Sequence, residues 1–191
     1  LLILDTLGLL HSHHGAGWYV DEFKPAESLI PILSPLLQHF SGANICQVFE
    51  TRLHLEPIIT ALAAKNISQN GLNQLQHALE VMKNNCKEED CWNTFMAADR
   101  EFHNIIAREC GNPVLILQNS ILNGLFQSMM IPVPEVTSDE VIGQHKELYE
   151  KMVAHDAEGA AKCVKRQSEL ALRIFRKRGL YNDNIVDEKK S

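Results

Sequence analysis

Asp99 and His103 are four residues apart, a spacing that on a helix sends both side chains from one face about a turn apart. A carboxylate oxygen and an imidazole nitrogen so placed can share a divalent cation. His145 and Gln167 lie on two further helical segments, and in an antiparallel bundle all four could converge inside the core, where bundle metal sites are built. A plainer reading fits the spacing as well. Asp99 and His103 could form a surface ion pair and His145 could be a core histidine bonded to a backbone carbonyl, because nine histidines make chance pairings easy. Asn123 and Gln127 are also spaced to share a face and could supply polar contacts to a pocket.

The elements that must position these residues are helical almost everywhere from Ala26 onward. Segments are expected at about 26–40, 44–66, 68–85, 89–109, 112–130, 137–155 and 157–178. In the fourth, Trp92, Phe95, Met96, Phe102, Ile105 and Ile106 approximate a stripe of helical period, as do Ala160, Ala161, Val164, Leu170, Ile174 and Phe175 in the last. Pro57 falls inside a helical pattern and predicts a kink or a new helix start. Thr137-Ser138-Asp139-Glu140 and Asp156 offer caps for the last two segments. Before all this, Leu1, Leu4 and Leu7 with the stop Gly8 read as a helix end. Two strand-like runs, 9–12 and 18–20, follow around His14-Gly15-Ala16-Gly17. The fold class is all-α: an antiparallel bundle of six to seven helices, preceded by a short hairpin. The division is 1–23, a linker helix at 24–43, the bundle at 44–180 and a polar tail at 181–191.

Composition narrows the function classes. With 45% hydrophobic and 22% charged residues the chain reads as an ordinary soluble globular protein, and no apolar run approaches the ~20 residues of a membrane helix. The apolar start lacks the features of a signal peptide, and with no initiating Met the chain reads as truncated; a cytoplasmic location is expected. Cys46, Cys86, Cys91, Cys110 and Cys163 form no CxxC pair and read as reduced thiols. A net charge of -6 gives no broad positive field for gripping DNA, so any such contact must come from a local element. The cations Arg173, Arg176, Lys177 and Arg178 suit a helix C-terminus, and Phe126, Met129 and Met130 suit a core or an interface.

Several segments, taken in order, resemble the GntR superfamily's FadR-like branch, whose C-terminal effector-binding domain is the FCD domain. They are Phe49-Glu50-Thr51-Arg52-Leu53-His54-Leu55-Glu56-Pro57, Asp99-Arg100-Glu101-Phe102-His103, Gly111-Asn112-Pro113-Val114-Leu115, Gln144-His145-Lys146-Glu147-Leu148 and Ala154-His155-Asp156-Ala157. Leu4 to Leu10 and Ser12 to Val20 are similar to the end of a recognition helix and the wing of that family's winged helix-turn-helix. The resemblance implies a transcription regulator rather than an enzyme: a homodimer with a small-molecule carboxylate effector, whose intact parent binds operator DNA while this chain binds it weakly or not at all. It implies a metal site at Asp99, His103 and His145, with zinc, nickel or manganese as candidates. The family's fourth position is a histidine and is Gln167 here, a neutral and poorer ligand. Three outcomes stay open: a weaker site completed by Gln167 or water, a site for a harder ion, or a metal-free pocket. The resemblance also implies that Arg52 faces the pocket and engages a ligand carboxylate, the alternative being a structural salt bridge with Glu56.

Two other function classes remain. A metal-dependent hydrolase or lyase would use an Asp/His/His site with an open position, but no separate general base, partnered nucleophile or phosphate loop accompanies it. A helical interaction domain with a filled pocket would show no ligand-induced stabilisation.

Overall fold

The structure is a computed structural model that describes residues 1–6, 9–20, 33, 45–85, 92–129 and 138–177. The expected segment 26–40, the linker 24–43 and the tail 181–191 lie essentially outside the described residues. So do Leu7, Gly8, Cys86, Cys91, Met130, Thr137 and Arg178, and the side chains of Cys46, Phe126, Gln127 and Met129.

The N-terminal part is a short helix and the expected hairpin. Helix α1 (Leu2–Thr6) precedes strands β1 (Leu10–His13) and β2 (Gly17–Val20), which pair antiparallel with Leu10 opposite Val20 and His13 opposite Gly17. Gly15 and Gly17 take positive φ (78° and 102°), which glycine adopts without a Cβ clash and which closes so tight a turn. His11 stacks on Tyr19 across the pair.

Six longer helices form the bundle. Helix α2 is Ile45–Asn66, α3 Gln69–Asn84, α4 Trp92–Glu109, α5 Pro113–Met129, α6 Ser138–Val153 and α7 Ala157–Lys177. With α1 they make seven among the described residues, close to the expected boundaries. One expectation fails in part: no helix starts at Pro57, because α2 continues through it as a single element. The missing proline N–H removes one backbone bond, and packing of this helix against four others outweighs that loss.

Local chemistry sets the ends. Ser68 caps α3 by accepting from Gly71 N at 3.0 Å, while Glu109, from the end of α4, accepts from Ser68 N at 2.7 Å. Gly71 leaves room for that carboxylate, whose carbon a Cβ there would meet at 2.5 Å unless the Glu109 side chain moved. Gly111 closes α4 at φ 74°, and Asn112 Oδ1 accepts from Val114 N and Leu115 N, so that Pro113 opens α5 where its missing N–H is harmless. Asp156 caps α7 through Gly159 N at 2.8 Å, as expected. His155, in the turn before it at φ 52°, has its Nδ1 2.8 Å from Ala64 O on α2.

Helix α2 is central. It packs along α7 and also against α4, α5 and α6, while α3 lies on α4 and α6. Phe49 meets Phe175, Glu50 pairs with Arg176 and Glu56 bonds Ser168. Residue numbers rise along α2 as they fall along α7, so the two run antiparallel. The main core joins Ala63, Ala64, Leu75, Phe102, Leu148, Met152 and Ala160, all fully buried, and the free thiols of Cys110 and Cys163 are buried with it. Met82, Phe95 and Ala98 form a smaller cluster beside it.

Candidate functional site

Two helices bring Asp99, His103 and His145 together. Asp99 and His103 leave one face of α4, one turn apart, and His145 reaches them from α6. Their donor atoms all lie within 4.8 Å of one another. His145 Nε2 is 3.1 Å from Asp99 Oδ1 and 3.2 Å from His103 Nε2. Phe102 packs edge-on against the His145 ring at 4.9 Å, holding it in place.

One hydrogen bond orients the whole group. His145 Nδ1 lies 2.8 Å from Val141 O, and a carbonyl only accepts, so Nδ1 carries a proton. When protonated, the ring donates from Nε2 to the Asp99 carboxylate; when neutral, it turns its Nε2 lone pair toward that carboxylate and His103 Nε2. Lone pairs facing a carboxylate repel unless a proton or a cation stands between them. This is the arrangement in which a backbone carbonyl fixes a metal-binding imidazole, and the donor set of two imidazoles and a carboxylate suits a divalent transition ion. The surroundings act in the same sense. Burial pushes the Asp99 carboxyl up, but the hydrogen bond and charge of His145, with His103 and Arg52, outweigh it and hold the group at about 2. Burial holds His103 down at about 4, against the pull of Glu56 and Asp99. Burial also lowers His145, and the Asp99 hydrogen bond and charge more than reverse this, raising it above its ordinary value.

The group faces a cavity of about 170 Å³ between α2, α4, α6 and α7, which Arg52 and Gln167 also line. Arg52 lies over the Phe49 ring at 5.3 Å, and its Nε and a terminal nitrogen each reach Glu56 Oε1 at 2.6 Å. Glu56 Oε2 accepts from Ser168 Oγ at 3.1 Å, and all three residues are buried. Both readings of Arg52's position therefore coexist: it borders the cavity and it makes the structural salt bridge. Gln167 brings both amide atoms into the site, shut off from solvent and without a hydrogen-bond partner among the described residues. Phe49, Phe95, Met96, Ile174 and Phe175 supply apolar walls.

Asn123 stands apart. Its amide donates to Asn104 Oδ1 at 2.8 Å, and it is not among the residues lining this cavity; the side chain of Gln127 falls outside the described residues. The sequence reading missed Ser168 and the α7 wall residues as site components. Ser168 could have been suspected from its place beside Gln167 on the last helix; the Asn104–Asn123 pair left no signal, since it joins two helices across a turn.

A helical bundle with a cavity lined by a charged, metal-type donor set can hold a small ligand. The FCD domain family matches residues 47–168, more than half of the chain, and the chain belongs to that family, the effector-binding domain of GntR-type transcription regulators. An uncharacterized HTH-type transcriptional regulator of Bacillus subtilis (strain 168), YcbG, is 26% identical over 160 residues, which is 80% of this chain and 61% of that protein. The chain thus spans less than two thirds of that relative's length. In fold it is similar to Streptococcus agalactiae GntR, with a TM-score of 0.71 and 19% identity, covering 90% of this chain and 78% of that one. It is also similar to E. coli McbR/YncC, with a TM-score of 0.54 and 20% identity over 90% of this chain and 76% of that one.

Proposed function

We propose that this chain is the effector-sensing and dimerising portion of a regulator, that its effector is a small organic acid, and that Asp99, His103 and His145 hold a divalent cation such as zinc, nickel or manganese. The observation that carries the reading is the orientation of His145 by Val141 O, which aims Nε2 at Asp99 and His103. When bound, the cation supplies positive charge and open coordination positions for a carboxylate oxygen. Asp99 contributes the neutralising charge, the two imidazoles contribute neutral nitrogens, and water fills the remaining positions until the effector arrives. Arg52 keeps a second positive group at the cavity edge.

The family supports the remaining parts. In this reading residues 1–23, with the β1–β2 hairpin as wing, belong to a DNA-binding head, 24–43 link it, 44–180 sense the effector and 181–191 form a tail. Effector binding favours one arrangement of the bundle and so resets two heads in a homodimer, since symmetric operators need paired readers. No described helix is long and apolar enough to cross a membrane, and we assign the protein to the cytoplasm. The relative's name is a regulator's, so the reading is sensing rather than catalysis.

The deciding experiment is metal content of protein purified without chelator, for wild type and Asp99→Ala. About one divalent ion per chain, lost in the variant, is the expected result. No uptake after exposure to zinc, nickel and manganese would remove the metal from the proposal and leave a metal-free cavity.

A further inference from the structure

The cavity's own bonding limits what can enter it. Arg52 looks at first like the carboxylate receptor, but its Nε and one terminal nitrogen are committed to Glu56 Oε1, and Glu56 is held from its other side by Ser168. Its charge is therefore matched within the protein. Gln167 is in the opposite condition. Its Nε2 and Oε1 are buried and meet no partner among the described residues, although the residue lines the same cavity as Asp99, His103 and His145. A buried amide left this way carries its full desolvation cost, and an arriving acceptor relieves it at Nε2.

Charge and shape complete the specification. Asp99 and Glu56 contribute two negative charges and Arg52 one positive, so a divalent cation leaves the polar end with a single positive charge. One carboxylate neutralises it. Beyond the groups already named, the lining is apolar apart from Ser138 and Gln144, chiefly Phe49, Phe95, Met96, Ile174 and Phe175, so it offers no further positive charge for a second carboxylate and few donors for a row of hydroxyls. The space, about 170 Å³, is near the ~150 Å³ of an apolar cavity that takes up a benzene ring.

We propose that the effector is a monocarboxylic acid with a compact apolar body, a small aromatic or short aliphatic acid, and that Gln167 reads its head group by donating from Nε2 to a carboxylate oxygen. This rests on the reading of the cavity as a cation-containing effector site. It gives a physical role to the position at which this chain departs from the family's histidine: an amide that grips the ligand in place of a fourth imidazole that grips the metal.

The test is calorimetric titration of the zinc-loaded chain with benzoate, hexanoate, adipate and gluconate, for wild type, Gln167→Leu and the near-isosteric Gln167→Met. Benzoate or hexanoate should bind at least ~10-fold more tightly than adipate or gluconate. Both variants should keep their zinc while losing ~10-fold or more of that affinity. If Gln167→Leu does not fold, Gln167→Met carries the comparison. Adipate or gluconate binding as well as the simple acids, no binding by any of the four, or variants that bind benzoate like wild type would overturn the proposal while leaving the metal reading intact. Variants that lose their zinc would make Gln167 a metal ligand and overturn its role here. A wild type that takes up no metal at all would sink the charge argument together with the function it rests on, and zinc content measured beforehand separates that case.

Discussion

Glu56 receives two nitrogens of Arg52 on one carboxylate oxygen, each at 2.6 Å, one turn apart on α2 and buried. Its second oxygen reaches across to Ser168 on α7. Glu56 thus joins the charge of one helix to the hydroxyl of its antiparallel neighbour. Removing one partner of a buried pair exposes the cost of the other. Glu56→Ala should lower unfolding free energy by about 3 kcal/mol, measured by urea denaturation, with Glu56→Gln less severe. A loss under about 1 kcal/mol would mean that water or another acceptor replaces the carboxylate.

Phe102 is fully buried and braces the His145 ring from its edge. Phe102→Ala should cost about 3–5 kcal/mol. The milder Phe102→Leu should leave the bundle folded and weaken zinc binding roughly tenfold, because loosened support misaligns the nitrogen it aims. Competition with a chromophoric chelator reads this directly; unchanged affinity would show that Val141 O alone fixes the ring.

In chelator-treated protein the pair Asp99–His145 ties stability to pH. His145 titrates above its ordinary 6.5 in the folded state, so its contribution is complete below 6.5 and fades as pH rises through the folded value. Asp99 contributes above 3.8 and loses this only as pH falls through about 2. His103, held down at about 4, works the other way, costing stability as pH falls from 6.5 toward 4. The stability gap between wild type and Asp99→Asn should therefore be largest near pH ~6 and shrink toward pH ~8.5. A gap that grew with pH would contradict a protonated His145 beside an ionised Asp99. With zinc present the dependence inverts, since proton and cation compete for one nitrogen, and affinity should drop about tenfold per pH unit on the acid side of His145.

The Ser68 cap offers a control remote from the cavity. Ser68→Ala should destabilise by ~1 kcal/mol and leave zinc binding untouched. A parallel loss of zinc would show that the C-terminal end of α4 at Glu109 and its middle at Asp99 are coupled through the helix.

Much of this was legible beforehand because it depends on local periodicity. The i, i+4 spacing of Asp99 and His103, the capping Asp156 and the apolar stripe of α4 each lie within a single helix. Pro57 misled in part, since a lone residue's preference yields to the packing of α2 against four other helices. That Glu56 meets Ser168 and Asn104 meets Asn123 was out of reach, because pairings between helices depend on how the helices rotate against one another, and one sequence carries no trace of that. Arg52 shows the limit well: its i, i+4 partner could be named, but not that both nitrogens would be engaged.

Helix α7 is fastened to α2 near both extremities, through the His155 turn at Ala64 and through Phe175 and Arg176 at Phe49 and Glu50. A beam clamped at both ends cannot swing open like a jaw; it can only bow at mid-span, where Gln167 and Ser168 sit. Strain from an occupant is then delivered to the clamps, and one clamp lies within two turns of Ile45, the first residue of α2. The cavity and the exit toward the rest of the molecule share one mechanical joint.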